Sequence, residues 1–309
     1  MIKSGDTILV LATARSINSQ EVEPFLKWAA TKGLNVELAP NLFEVEHQFA
    51  GSDLQRAEDL LWALSHPSAT AVFCARGGYG TLRTVKKLES ILLDSKQIDT
   101  NNLQFQSSWK QKLFIGFSDV TVLHSWLNSN HWISLHGPVV AQWSNENFTD
   151  TLLSLERAIF DGEVTIKIDG HSDVPSFTGK LVGGNLSLIY ALLGTKYRLQ
   201  TENAVLLIED LDEYLYHIDR MMQSLECSGI LSNIRALLVG GLSKMNDNQI
   251  PFGKSAQEII KEITDKYQFP VIFDVPIGHL STNNSVFLGT SVTFDGNQLS
   301  QSIETTCNV

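Results

Sequence analysis

The sequence predicts an α/β protein organised around a parallel sheet. Short apolar runs alternate with longer segments whose apolar residues return every three or four positions, as strands and crossover helices do. Two strand-to-helix joints also carry chemistry-bearing residues, Arg76-Gly77-Gly78-Tyr79-Gly80 and Ser118-Asp119. Both fall at the carboxyl ends of strands, where ligands bind in sheets of this kind.

The elements follow in order. Thr7 to Ala12 is an apolar strand. Ser19 to Gly33 reads as a helix with Val22, Phe25, Leu26 and Ala29 on one face and Gly33 as its stop. Asn35 to Leu38 is a short strand, and Asp53 to Ser65 is a helix carrying Leu54, Ala57, Leu60, Leu61 and Leu64. A strand over Ala69 to Ala75, a helix over Thr81 to Leu92, a strand over Leu113 to Phe117 and a helix over Asp119 to Asn128 complete the alternation. Residues 94–110 are polar and read as an inserted loop. The polar stretch 161–180, with its Gly and Pro and one short strand at Val164 to Ile168, reads as a linker between domains spanning 1–160 and 181–309. The second half predicts a helix over Leu186 to Leu193, a strand over Ala204 to Ile208 and a helix over Tyr216 to Ser228. Strands at Ile234 to Gly240 and Pro270 to Val275, a helix at Ser255 to Tyr267, and a hairpin near Ser285 to Phe294 follow.

Length and composition narrow the function classes. A chain of 309 residues with 43% hydrophobic and 18% charged residues suits two packed domains. Its 23 Lys and Arg against 34 Asp and Glu leave a net charge of −11, which argues against general binding to nucleic acid or anionic membrane. The three cysteines, Cys74, Cys227 and Cys307, are far apart and form no CxxC, so neither a disulfide framework nor a metal site is expected. The apolar run at Ile8 to Ala12 is too short for a signal peptide, and a cytoplasmic location is the expectation.

Ser118 sits where a nucleophile is commonly displayed, with free helix N–H groups beside it for an oxyanion. Ser118-Asp119 equally fits a helix N-cap. The joint is not the Gly-x-Ser-x-Gly elbow, because Val120 occupies the second glycine position. A serine nucleophile needs a base and an orienting acid. His279 follows a strand and the turn Pro276-Ile277-Gly278, whereas His124 shares a helix face with Val120 and Leu127 and reads as core. His136 follows an apolar segment at the cleft side. Glu209 is the first charge after an apolar strand and requires a partner if buried; Glu213 is its reserve. The loop Arg76-Gly77-Gly78-Tyr79-Gly80 can bring backbone close to a ligand, but it is neither a dinucleotide fingerprint nor a phosphate loop.

Taken in order, these segments resemble the LD-carboxypeptidase family of serine peptidases, which includes muramoyltetrapeptide carboxypeptidases and microcin C self-immunity peptidases. The matching stretches are Ala75 to Gly80, Gly116 to Thr121, His136-Gly137-Pro138, Leu181 to Leu188, Gly194-Thr195, Ile208-Glu209-Asp210, Tyr216 to Met221, Gly278-His279 and Leu288-Gly289. The resemblance implies a Rossmann-like N-terminal domain carrying the nucleophile and a smaller α/β C-terminal domain carrying the Glu and His. It implies the triad Ser118, His279 and Glu209, with backbone N–H groups of Gly78 and Asp119 as oxyanion hole. In the same glycine-rich turn, Arg76, Gly77 and Tyr79 are candidates for substrate contact, with Arg76 a candidate for the terminal carboxylate that equally fits a structural ion pair. The resemblance also implies a small peptide substrate, release of D-alanine from a murein tetrapeptide, no cofactor, and a homodimer. Two stretches depart from the family pattern, Ala12-Thr13-Ala14-Arg15 and Leu280 to Asn284. Alternatives are a sibling peptidase acting on an aminoacyl-nucleotide, and a two-lobed binding protein without catalysis.

Overall fold

A computed structural model describes residues 1–94, 109–168 and 170–303. The loop expected at 94–110 lies almost wholly outside the described residues, as does Cys307. The first half alternates β1 (Thr7–Leu11), α1 (Ser19–Thr31), β2 (Asn35–Leu38), α2 (Asp53–Ser65), β3 (Ala71–Cys74), α3 (Thr81–Asp94), β4 (Leu113–Gly116), α4 (Thr121–Ser129) and β5 (Ser134–His136). α1 and α2 begin where the sequence offers reciprocal caps, Asn18 with Glu21 and Ser52 with Gln55. β1 to β5 pair in parallel in the order β2-β1-β3-β4-β5. A single turn of 3-10 helix, Ser118–Val120, joins β4 to α4.

The second half holds β6 (Glu163–Lys167), β7 (Phe177–Asn185), α6 (Leu186–Leu192), β8 (Ala204–Leu211), α7 (Leu215–Cys227), β9 (Ala236–Ser243), α8 (Ala256–Thr264) and β10 (Val271–Ile272). β11 (Val286–Leu288), β12 (Ser291–Phe294) and β13 (Gln298–Ser302) follow, and α5 (Thr149–Glu156) precedes β6. The second sheet runs β10-β9-β8-β7-β12-β13-β6. β7 to β10 pair in parallel, and β12, β13 and β6 in antiparallel.

Three expectations change here. The stretch 161–180 contains β6 and the start of β7, both members of the second sheet. The expected hairpin over Ser285 to Phe294 does not form: β11 pairs antiparallel with β5 in the first sheet, while β12 pairs with β7. The hairpin is instead β12–β13, turned by Asp295-Gly296-Asn297. Finally, β8 runs past Ile208 to Leu211, so Glu209 lies inside the strand.

β8 explains how the two halves meet. Val205 and Leu207 face the core shared with the first sheet, and Leu206 and Ile208 face a second core under α6, α7 and α8. Burial on both faces makes Ala204 to Ile208 uniformly apolar. The halves also share polar contacts: Asn185 N donates to Thr121 Oγ1 (3.0 Å), Asn283 N to Thr151 Oγ1 (2.9 Å) and Ser285 N to Ser154 Oγ (3.0 Å).

Candidate active site

Ser118 has φ +64, left-handed backbone that a non-glycine residue adopts only under local constraint. The constraint is visible. A methyl on Gly116 would lie 3.0 Å from both Val120 methyls and 3.1 Å from Cys74 Cβ, so β4 must end in a residue without a side chain. The chain then turns at once, and the half-buried Ser118 stands clear of the sheet. Gly77 is packed beside it, since a methyl there would be 3.1 Å from Ser118 Cβ and 3.3 Å from Oγ. The N–H groups of Gly78 and Asp119 donate to no other group among the described residues. Asp119 is buried, and its Oδ2 accepts the Thr81 N–H at 2.8 Å, tying the turn to the start of α3.

Glu209 is fully buried. Its Oε2 accepts from His279 Nδ1 at 2.6 Å and from the His279 backbone N–H at 3.2 Å. Two local features make the room. β9 carries an extra residue opposite Glu209, because Ile208 pairs with Val239 and Asp210 with Leu242. Gly278, at φ +100, presses on the carboxylate: a methyl there would lie 2.5 Å from Oε2. Strand alternation turns the next residue, Asp210, to the opposite face. There it accepts from Asn185 Nδ2 (2.8 Å) and the Ser187 N–H (2.9 Å) at the start of α6. The reserve acid, Glu213, bonds His217 Nδ1 at 2.6 Å instead.

The His279 ring packs 4.7 Å, centroid to centroid, from Phe117, the residue before Ser118. With Nδ1 committed to Glu209, Nε2 is the nitrogen left for a substrate-side proton. The Ser118 hydroxyl has no hydrogen-bond partner among the described residues; such catalytic contacts often tighten only when substrate is bound.

His136 is closer to the chemistry than its sequence context suggests. It is fully buried, neither ring nitrogen has a hydrogen-bond partner among the described residues, and Nε2 stands 3.9 Å from Oε1 of Glu209, which likewise has none among them. Glu209 thus has an imidazole at each oxygen. Burial pushes its pKa up, but His136 and His279 outweigh burial and hold it at about 2. His124 is core as expected, bonded through Nε2 to Gly116 O (2.8 Å), with burial pushing its pKa down to about 3. Asp210 shifts the other way, raised to about 6 by burial and then by the Glu209 charge.

Among the substrate-contact candidates, Tyr79 is half exposed. Arg76 is held by Glu21 Oε1 (3.0 Å) and the Ser16 carbonyl (3.3 Å). Among the described residues, no group of three or more His, Cys, Asp or Glu could hold a metal ion, and no helix is long and apolar enough to cross a membrane.

Residues 8–137 match the family model of the LD-carboxypeptidase N-terminal domain, and residues 178–294 match that of the LD-carboxypeptidase C-terminal domain. The chain belongs to the LD-carboxypeptidase family. Among its relatives is a Synechocystis sp. protein that bears a carboxypeptidase name, 33% identical over 305 residues, covering 96% of this chain and 93% of the relative. The murein tetrapeptide carboxypeptidase of Pseudomonas aeruginosa is 27% identical over 305 residues, with 94% of each chain covered. The fold of this LD-carboxypeptidase family member is also that of a muramoyltetrapeptide carboxypeptidase from Oxalobacter formigenes (TM-score 0.81, 23% identity, 95% and 97% covered). It is likewise that of the microcin C7 self-immunity protein MccF in its wild-type apo state (TM-score 0.81, 15% identity, 98% and 97% covered). The chain is therefore a peptidase by family.

Proposed function

We propose that the chain is a serine carboxypeptidase that hydrolyses an L,D-peptide bond and releases the terminal D-alanine of a murein tetrapeptide. The observation that carries this reading is the fully buried Glu209 carboxylate, 2.6 Å from His279 Nδ1. A buried carboxylate needs a partner, and this one fixes the tautomer of an imidazole packed against the residue preceding Ser118.

In this mechanism Ser118 Oγ attacks the scissile carbonyl while His279 Nε2 takes its proton. The oxygen becomes an anion, received by the unpaired N–H groups of Gly78 and Asp119, each donor typically worth about 3–4 kcal/mol. His279 then protonates the leaving amine, and the C–N bond breaks. Water, deprotonated by the same imidazole, attacks the ester and frees Ser118. Glu209 remains ionised throughout and stabilises the imidazolium. The names of murein peptide carboxypeptidases among the relatives support the substrate.

The test is D-alanine release from murein tetrapeptide, measured beside hydrolysis of an aminoacyl sulfamoyl adenylate. Preference for the tetrapeptide by about 100-fold or more in kcat/KM is expected. Faster cleavage of the adenylate contradicts the substrate, and turnover of neither contradicts the reaction.

A further inference from the structure

Arg15 lies at the carboxyl edge of β1, in the stretch Ala12-Thr13-Ala14-Arg15 that departs from the family pattern. Its side chain runs across Gly78. A methyl on Gly78 would meet Arg15 Cδ at 2.6 Å, Nε at 2.7 Å and Cγ at 2.8 Å. Gly78 has φ +107 and is exposed, so this lack of a side chain serves both the loop and the arginine laid over it. The Nε end of the guanidinium is thereby held over Gly78, one of the two residues whose N–H groups are proposed for the oxyanion.

The neighbouring arginines are all committed. Arg76 pairs with Glu21, while Arg56 and Arg83 share Asp53. Arg15 pairs with no carboxylate among the described residues, and it is exposed. A cation without a protein partner beside an oxyanion site suits an anion brought by the substrate. In a peptide cleaved at its last bond, a single carbon separates the scissile nitrogen from the free carboxylate. A group that touches Gly78 is therefore at the right range to receive that carboxylate when the carbonyl oxygen points at the Gly78 N–H.

We propose that Arg15 binds the free α-carboxylate of the leaving residue, and so restricts cleavage to the last bond of peptides that end in a free acid. The proposal rests on the peptidase reading above and replaces Arg76 with Arg15 as the specificity-determining cation. Arg15→Ala, Arg15→Lys and wild type are compared on a murein tetrapeptide and on the same peptide with a C-terminal amide. Wild type favours the acid. Arg15→Ala loses about 10- to 100-fold in kcat/KM on the acid, chiefly through KM, and far less on the amide, so the preference collapses. Arg15→Lys recovers part of it. Equal losses on acid and amide, or no loss on the acid, overturn the role of Arg15 while leaving the reaction standing. A wild-type chain that cleaves neither peptide overturns the peptidase reading and this proposal with it.

Discussion

Each oxygen of Glu209 faces a different imidazole, and the two contacts predict different kinetics. Ser118→Ala should fold normally and lose about 10^4-fold or more of kcat, read from D-alanine release. Glu209→Gln should cost about 10^2- to 10^4-fold, while Glu213→Gln, whose carboxylate serves His217, should change turnover little; the reverse ranking in steady-state kinetics makes Glu213 the acid. On this account His136 would act through Glu209 as a positioning residue. His136→Leu should cost about 10-fold in wild type and nearly nothing in the Glu209→Gln background, whereas losses that multiply would make its role merely structural. Ser118, Glu209 and His279 were legible in the sequence because each is a polar group that follows an apolar run, although β8 continues through Glu209 and β10 ends at Ile272, well before His279. The place of His136 beside Glu209 was not, since a histidine that ends a three-residue strand looks the same whether it faces solvent or a buried carboxylate.

The elements that hold these residues are short and tight. Asp119 joins two of them, accepting the Thr81 N–H at the start of α3 from inside the turn after β4. Asp119→Ala should lower stability by about 1–2 kcal/mol in urea unfolding, and Asp119→Asn, which keeps an oxygen acceptor, should lose less. Equal losses would mean that the cap is not what Asp119 supplies. Elements in the first half were readable because periodicity and caps agree; α2 and β2 begin and end where the pattern places them. β5 and β11 are three residues each, too short for any period to register. β11 and β12 are neighbours in sequence but belong to different sheets, and local pattern carries no information about partners. β6 has clean alternation, yet the polar stretch around it hides its place in a sheet.

At the scale of the whole molecule, the site depends on two sheets meeting, and their junction is charged. Glu209 has a folded pKa of about 2, below its ordinary value of 4.5, so the folded state binds fewer protons there. Its stabilisation is present above about pH 4.5 and is lost as pH falls toward 2. Asp210 is raised from 3.8 to about 6, so its ionisation opposes folding above pH 6, and that opposition is relieved as pH falls toward 4. Stability measured from pH 7 downward should therefore fall steeply only below about pH 4.5, and Glu209→Gln should flatten that limb; an unchanged limb contradicts the assigned burden. The central claim is that Ser118, His279 and Glu209 form one proton relay across the two halves. A fluorophosphonate, which reports only an activated serine, tests it most directly when the labelled peptide is mapped by mass spectrometry. The account predicts modification at Ser118, slowed by about 10^2-fold or more in His279→Ala and Glu209→Gln. Labelling at another serine, or an unchanged rate in both variants, would contradict it.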